Sequence, residues 1–458
     1  LFIFLIYHKY IMKFTVEEIA QCTNAKILKS NDLQGEHPIS TDTRTIKPGD
    51  IYLPLKGETF DGEKFLADAV KSGATGYFTT NVEIIENAQD ILKVDNTLNA
   101  YLSIANYARR KFNPVTVGIT GSSGKTTTKE MVYSVLSVKF KTHKTFSNHN
   151  NEIGLCQTIL SMPSDTEVLV VEMGMRGLGE IELLSKYSEP DYTIITNAGS
   201  AHIGRLGSLD NIAKAKSEIT LYQRKIGALI ANDNERLKKF ANFGGEKIWY
   251  SINDVEILEQ KPGYSKFIYK DREYELNVEG KYNIENSLAA IELGVKLGMS
   301  YEEIKRGLLA YRPIEKRWEA EKIGAYKIIN DSYNANPESM KASVTTFIEL
   351  YDKPLVILGN MGELGEDEIE IHKNVGKYLS DFIKTYKSKE PIILTVGKLA
   401  AKIGEELVKA GAIVKNFENN ASVSSYILAN DFGGCTIFLK ASRAMKFEEI
   451  IENLKREI

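Results

Sequence analysis

Cysteine is scarce in this chain, charge of one sign is lacking, and long apolar runs are absent. Three cysteines in 458 residues, Cys22, Cys156 and Cys435, stand far apart with no Cys-x-x-Cys pair. That spacing argues against a disulfide framework and a cysteine-based zinc site, and it suits a reducing cytoplasm. With 11 prolines and 34 glycines, the chain is neither collagen-like nor of low complexity. The 58 basic and 61 acidic residues leave a net charge of −3, so nothing draws the whole molecule to nucleic acid or anionic lipid. Any phosphate must be bound by a local site. The apolar run at residues 1–6 is far short of the roughly 20 residues of a membrane span. No basic region precedes it and no small-residue cleavage site follows, so it is not expected to be a signal peptide. Met12 opens MKFTVEEIA, which has the look of a natural start; residues 1–11 are then a translation-start artefact or a disordered extension.

What is present is ordinary globular material. Hydrophobic residues make up 43% and charged residues 26%, enough apolar mass to fill several cores. The length suggests about three domains, drawn here as 12–95, 96–312 and 313–458. In the first, short β-like runs lie at 51–55 and 76–80, with a helix pattern near 62–72. The second alternates strand and helix: 115–120, 127–138, 168–172, 193–196, 228–231. The third alternates again: 327–330, 340–350, 355–358, 392–396, 436–440. Such alternation predicts an α/β protein: a central parallel sheet with helices on both faces, and a smaller, doubly wound, Rossmann-like C-terminal domain.

The strongest local signal is the run Gly118-Ile119-Thr120-Gly121-Ser122-Ser123-Gly124-Lys125-Thr126-Thr127. An apolar strand enters a glycine-rich turn that opens a helix. Converging backbone N–H groups and the helix N-terminus make such a turn a cradle for phosphate. Lys125 would reach the outer phosphates and the Thr126 hydroxyl would ligate Mg²⁺. The generic spacing wants glycine at 119, where this chain has Ile119. An apolar strand ending in Glu172 places a carboxylate where a phosphate-loop protein needs a metal ligand. His202 follows a further strand, in a loop where a histidine is more often simply exposed.

The form of the loop, GITGSSGKTTTKE, resembles that of the Mur ligases, ATP-dependent enzymes that build the peptide stem of peptidoglycan. The resemblance extends over nearly the whole chain after residue 11, through STDTRTIKPGDIYLPLKGETFDG, HNNEIG, VVEMGMRGLGEI, AHIGRLGS, IAKAKSEI, NDSYNANPESMKAS, LGNMGELG and LKASRAM, in the family's order. It is closest to the branch that adds D-alanyl-D-alanine. It implies three α/β domains: an N-terminal one for the UDP-sugar, a central one for ATP, and a C-terminal one that closes over ATP and takes the dipeptide. Glu172 and His202 then match Mg²⁺ ligands beside Thr126. Lys216 matches a lysine carried as a carbamate; read alone, it is a lysine on a helix surface. Arg317 matches an arginine that reaches the ATP phosphates, though Lys316 replaces the usual glycine before it. Asn286, Asp331 and Asn334, with Asn336, match nucleotide contacts; Tyr282 stands where the family has histidine. Ser40, Asp42, Arg44, Lys56, Gly57 and Asp61 match the UDP-sugar motif, with Gly62, and Asn150 and Asn151 match residues near the same substrate. Stretches 360–365 and 440–445 match the surroundings of the incoming amine.

The reaction so implied is ATP-dependent ligation of D-alanyl-D-alanine to UDP-N-acetylmuramoyl-tripeptide through an acyl phosphate, in a cytoplasmic monomer that meets neither nucleic acid nor membrane. Lys125, Mg²⁺ and Arg317 would supply the cations. The base for the amine is open between His372 and solvent. Rival readings are another ligase of this fold, such as a folylpolyglutamate synthase, or a non-catalytic nucleotide-binding protein. A non-catalytic relative would be expected to have lost Lys125, Thr126, Glu172, His202 or Lys216, and all five are present.

Overall fold

The computed structural model describes residues 12–57, 59–82, 84–386, 389–430 and 432–457. Residues 1–11, expected to be an artefact or a disordered extension, lie outside that set. Four apolar strand runs emerge at the bounds read from sequence: Val115–Thr120, Val168–Glu172, Ile392–Val396 and Thr436–Lys440. They are nearly or wholly buried, as strands covered on both faces must be. Tyr192–Ile195, Ala228–Asn232 and Tyr326–Asn330 fall within a residue of expectation.

Six parallel strands form the central sheet, in the order Glu246–Tyr250, Ala228–Asn232, Tyr192–Ile195, Val115–Thr120, Val168–Glu172, Thr142–Lys144. Val115–Thr120 is first in sequence but central in space. The chain leaves it to one side, returns, and continues on the other. The carboxyl end of that strand is therefore a topological switch point, where open α/β sheets hold ligands.

A second six-stranded sheet has the order Glu319–Ile323, Tyr326–Asn330, Thr436–Lys440, Pro354–Gly359, Ile392–Val396, Ile413–Phe417. All its pairings are parallel except that of the edge strand Glu319–Ile323. Thr436–Lys440, last in sequence, slots between Tyr326–Asn330 and Pro354–Gly359, which makes a second switch point. The sequence alternation missed the edge strand. It also missed a three-stranded antiparallel meander, Val255–Lys261, Tyr264–Tyr269 and Arg272–Leu276. The latter two strands carry the one-in, one-out burial of a sheet with one wet face.

The first sheet has five strands, in the order Lys26–Lys29, Asp90–Lys93, Gly76–Thr79, Ile51–Tyr52, Ile39–Ser40. The run expected at 51–55 pairs only through Ile51–Tyr52, since Pro54 has no N–H to donate. The helix expected near 62–72 begins as the 3₁₀ turn Gly62–Phe65, capped by Asp61, and continues as Leu66–Lys71.

Large apolar clusters join the sheets. One runs from Val117 and Met131 to Phe438 on the second six-stranded sheet, with Trp318 and Phe347 packed on its ring. Another runs from Phe14 and Val16 to Leu169 and Val171. At roughly 1.5–3 kcal/mol for each fully buried large aliphatic side chain, this packing fixes the strand ends that carry the site. Among the described residues no helix is long and apolar enough to cross a membrane.

His143, on the edge strand Thr142–Lys144, gives the fold an acid-sensitive point. Its Nε2–H points at Thr158 O, 3.1 Å away. Burial pushes its pKa from 6.5 down to about 4. Protonation then favours the unfolded chain, so stability is full above pH 6.5 and falls as pH drops toward 4. The loss should reach about 2–3 kcal/mol. Urea unfolding of His143→Gln across that range should show a flatter pH dependence; an unchanged slope would contradict the assignment.

Candidate active site

The phosphate loop leaves the central strand at Thr120. Gly121 has φ +153, and a Cβ there would fall on Thr196 Oγ1. Gly124 has φ +77, in the left-handed region, and a Cβ there would meet the Asn286 amide. Both positions therefore require glycine. The helix Lys125–Leu136 starts at Gly124 with no side-chain cap, so its first N–H groups are left for an anion.

Asn197, which sequence reading passed over, shapes this loop. Its Oδ1 accepts from Ser122 N at 3.1 Å and Ser123 N at 2.9 Å. Its Nδ2 donates to Ser123 O and Oγ. Thr196 Oγ1 donates to Ser123 O at 2.6 Å, and Ser122 Oγ to Gly199 O at 3.0 Å. Lys125 Nζ donates to Gly121 O at 2.8 Å. Burial holds the Lys125 ammonium below the usual lysine range, with Glu172 opposing and Arg317 reinforcing that shift.

Glu172 is 4% exposed, so its carboxylate is buried at the strand end and not solvated. Its Oε2 accepts from Thr126 Oγ1 at 2.8 Å and its Oε1 from Asn150 Nδ2 at 3.0 Å. Lys129 Nζ, wholly buried, lies 3.6 Å from Oε2. Burial alone would raise the Glu172 pKa; Lys129, Lys125, Arg317 and the Asn150 bond outweigh it and hold the carboxyl below its ordinary value. The site thus keeps a charged carboxylate beside a hydroxyl, next to the phosphate loop.

Among the described residues no group of three or more His, Cys, Asp or Glu side chains is preassembled for a metal ion. Mg²⁺ does not require one: it keeps several waters and binds through one or two carboxylates plus substrate phosphates. Thr126 and Glu172 fit that donor set.

A cleft of about 970 Å³ opens between the central sheet and the second six-stranded sheet. Ser122 to Thr127, Asn150, Asn151, Glu172, His202, Asn286, Arg317, Asp331 and Asn334 all line it. Asn336 lines it while capping the helix Pro337–Leu350. Arg317 stacks 3.6 Å from the Tyr333 ring centroid and pairs with Glu315 at 2.9 Å. Asp331 and Lys440 pair at 2.6 Å, each at the carboxyl end of one of two neighbouring parallel strands. His202 Nδ1 lies 2.7 Å from Glu363 Oε2.

Lys216 is not on a helix surface. It is 0% exposed, and among the described residues its Nζ has no hydrogen-bond partner. Burial and the nearby Lys125 charge push its pKa well below the lysine value. Ser40, Asp42, Arg44, Lys56, Gly57 and Asp61, expected to meet the UDP-sugar, lie on and beside the first sheet, outside the cleft lining, whereas Asn150 and Asn151 line the cleft. Arg44 pairs with Asp42 at 2.7 Å, Lys56 lies 3.5 Å from Asp61, and Ser40 Oγ donates to Asp42 O. Gly57 N donates to Phe60 O in the same loop.

His372 is excluded as the amine's base. It is 0% exposed, its Nε2 accepts from Met361 N, and its Nδ1–H points at Glu368 O. With both nitrogens engaged, it is a structural tie. That burial is set by the packing of the helix Glu368–Thr385 and is not visible in the chain.

Three family descriptions match this geometry's owner in order: Mur ligase family, catalytic domain, over residues 37–115; Mur ligase middle domain, over 119–294; and Mur ligase, glutamate ligase domain, over 316–443. The UDP-N-acetylmuramoyl-tripeptide–D-alanyl-D-alanine ligase of Bacillus subtilis is 36% identical, with 97% of this chain and 98% of that protein covered. The chain belongs to the Mur ligase family. This Mur ligase also superposes on the crystal structure of MurF from Acinetobacter baumannii, with TM-score 0.88 and 28% identity over 97% of this chain and 99% of that one. MurF ligase from Thermotoga maritima, solved in complex with ADP, shares the fold at TM-score 0.80, with 24% identity over 92% of this chain and 97% of that one.

Proposed function

We propose that this chain joins D-alanyl-D-alanine to UDP-N-acetylmuramoyl-tripeptide, converting ATP to ADP and phosphate. The observation that carries the reading is the phosphate cradle at one switch point, with charged Glu172 beside it, facing Asp331 and Lys440 at the second switch point across one cleft. The activity named for the Bacillus subtilis relative, similar over 97% of this chain, supports the choice of substrates.

A carboxylate resists attack by an amine because its leaving group would be oxide. ATP removes that obstacle. A terminal carboxylate oxygen of the tripeptide attacks the γ-phosphorus, the bond to ADP breaks, and an acyl phosphate forms. The amine of the dipeptide then attacks the acyl carbon, phosphate leaves with its bridging oxygen, and the amine's proton passes to solvent. The uncapped N–H groups at 124–127 cradle the phosphates, those of Ser122 and Ser123 being held by Asn197, and Lys125 and Arg317 neutralise charge as it shifts. Thr126, Glu172 and His202 would hold Mg²⁺, which when bound screens the phosphate oxygens as a Lewis acid. Asn286, Asp331 and Asn334 would meet the nucleoside.

Lys216 enters as a carbamate. A buried ammonium without a partner is costly, and the neutral amine it favours is the form that adds CO₂ and loses a proton. Ser40, Asp42, Arg44, Lys56, Gly57 and Asp61 would take the UDP-sugar on residues 12–95, with Asn150 and Asn151 nearer the reacting end. Residues 96–312 would bind ATP, and residues 313–458 would close over it and take the dipeptide. The enzyme would work as a cytoplasmic monomer.

Phosphate release in the presence of ATP and Mg²⁺ tests the reading, with the diaminopimelate- and lysine-ending UDP-tripeptides each tried with and without D-alanyl-D-alanine. Release should need both a tripeptide and the dipeptide, and the preferred tripeptide identifies its third residue. Release driven equally well by a single amino acid would overturn the choice of dipeptide.

A further inference from the structure

His202 and Glu363 face one another from different sheets. His202 follows Tyr192–Ile195 of the central sheet; Glu363 follows Pro354–Gly359 of the second six-stranded sheet. Both backbones lie in the left-handed region, φ +66 and +60. Non-glycine residues hold that conformation only where their surroundings enforce it, and such places cluster at functional sites. Beside them the chains touch backbone to backbone: a Cβ at Gly365 would lie 2.8 Å from Gly204 Cα. The loop carrying His202 is also fastened independently. Glu338 accepts from Ser200 N at 3.1 Å and from Ser200 Oγ at 2.8 Å. Glu363 is thus not needed to anchor the loop, and its carboxylate is spent on the imidazole.

Glu363 Oε2 lies 2.7 Å from Nδ1 but off the line of its N–H, so the contact is an electrostatic one. A carboxylate on that side of the ring favours the tautomer that carries hydrogen at Nδ1, leaving the Nε2 lone pair for a cation. We propose that Glu363 is a positioning residue for His202: it orients the imidazole so that Nε2 faces the cation of the ATP site. Because the two residues ride on different sheets, that ligand is set only when both walls of the cleft are together. The inference rests on His202 being a metal ligand, as proposed above. It gives domain closure a chemical consequence, since an open molecule would hold the ATP-bound cation less tightly.

Mn²⁺ binding to the full chain in the presence of a non-hydrolysable ATP analogue, read by electron paramagnetic resonance, tests it. Glu363→Ala should weaken Mn²⁺ binding about ten-fold, the usual scale for removing the outer carboxylate of a metal-bound histidine. Glu363→Gln, which keeps an acceptor, should lose less. Half-saturating Mg²⁺ in the ligation assay should rise by the same factor. The metal-free variants should melt with the unaltered chain, because Glu363 is partly exposed. His202→Ala separates the failures. If it weakens Mn²⁺ binding while Glu363→Ala does not, the inference on Glu363 is overturned and the metal reading stands. If neither changes Mn²⁺ binding, the metal role of His202 falls, and this inference falls with it.

Discussion

Lys125→Ala should lower kcat for ligation by about 10²- to 10³-fold, the effect of removing one preorganised charge contact from a transition state. The side chain sits at the first position of the helix that the phosphate loop opens, with its ammonium drawn back to Gly121 O. Few alternatives can replace it. Lys129 is tied to Glu172 and Glu130, and Arg317 is stacked on Tyr333 across the cleft. The loop itself should survive, because Asn197 and Thr196 shape its backbone without Lys125. ADP affinity measured by calorimetry should therefore change far less than kcat. A variant that ligates at near-normal rate would contradict the assignment of this loop.

Lys216→Met separates stability from activity more sharply. The methionine has nearly the shape of the lysine stem and no charge to bury. Removing an unpartnered buried amine should stabilise the fold, by about 1–3 kcal/mol in CO₂-free buffer. Ligation should fall by about 10²-fold or more, since the anion proposed to form there is one of the site's charge-stabilising groups. Unfolding curves and rates on the same preparation check both halves. Enriching the unaltered chain with ¹³CO₂ should give a carbamate carbon signal that is missing from Lys216→Met. Full activity without that signal would remove the carbamate from the mechanism.

The contrast between Lys125 and Lys216 shows what the chain discloses before it folds. Lys125 belongs to a contiguous strand, turn and helix, so the loop that presents it is legible locally, whereas Glu172 and Arg317, which bias its charge, come from far along the chain. Val115–Thr120 and Val168–Glu172 were legible for a similar reason: burial on both faces demands an unbroken apolar run. The letters around Lys216, Ala213-Lys214-Ala215-Lys216-Ser217, suggest an exposed face. Only the packing of the helix Leu209–Ser217 shows that Lys216 points inward. Pairings across long separations were likewise invisible. Asp331 meets Lys440 over 109 residues, and Asn197 braces Ser123 over 74. Sheet topology creates both contacts, and no local spacing encodes them. The meander at 255–276 leaves a trace in the in-and-out alternation of Tyr264–Tyr269, but its antiparallel strands have no helix between them and break the helix–strand rhythm on either side. The motif resemblance did point to Asp331, Arg317 and stretch 360–365, which holds Glu363; their partners came only with the fold.

The most direct test follows one oxygen. Tripeptide substrate labelled with ¹⁸O in both oxygens of its terminal carboxylate is turned over with ATP, Mg²⁺ and D-alanyl-D-alanine, and the released phosphate is weighed by mass spectrometry. If the carboxylate attacks the γ-phosphorus, each phosphate leaves with one ¹⁸O, while the other stays in the new amide carbonyl. Unlabelled phosphate, with product still forming, would contradict an acyl-phosphate ligase at this cleft.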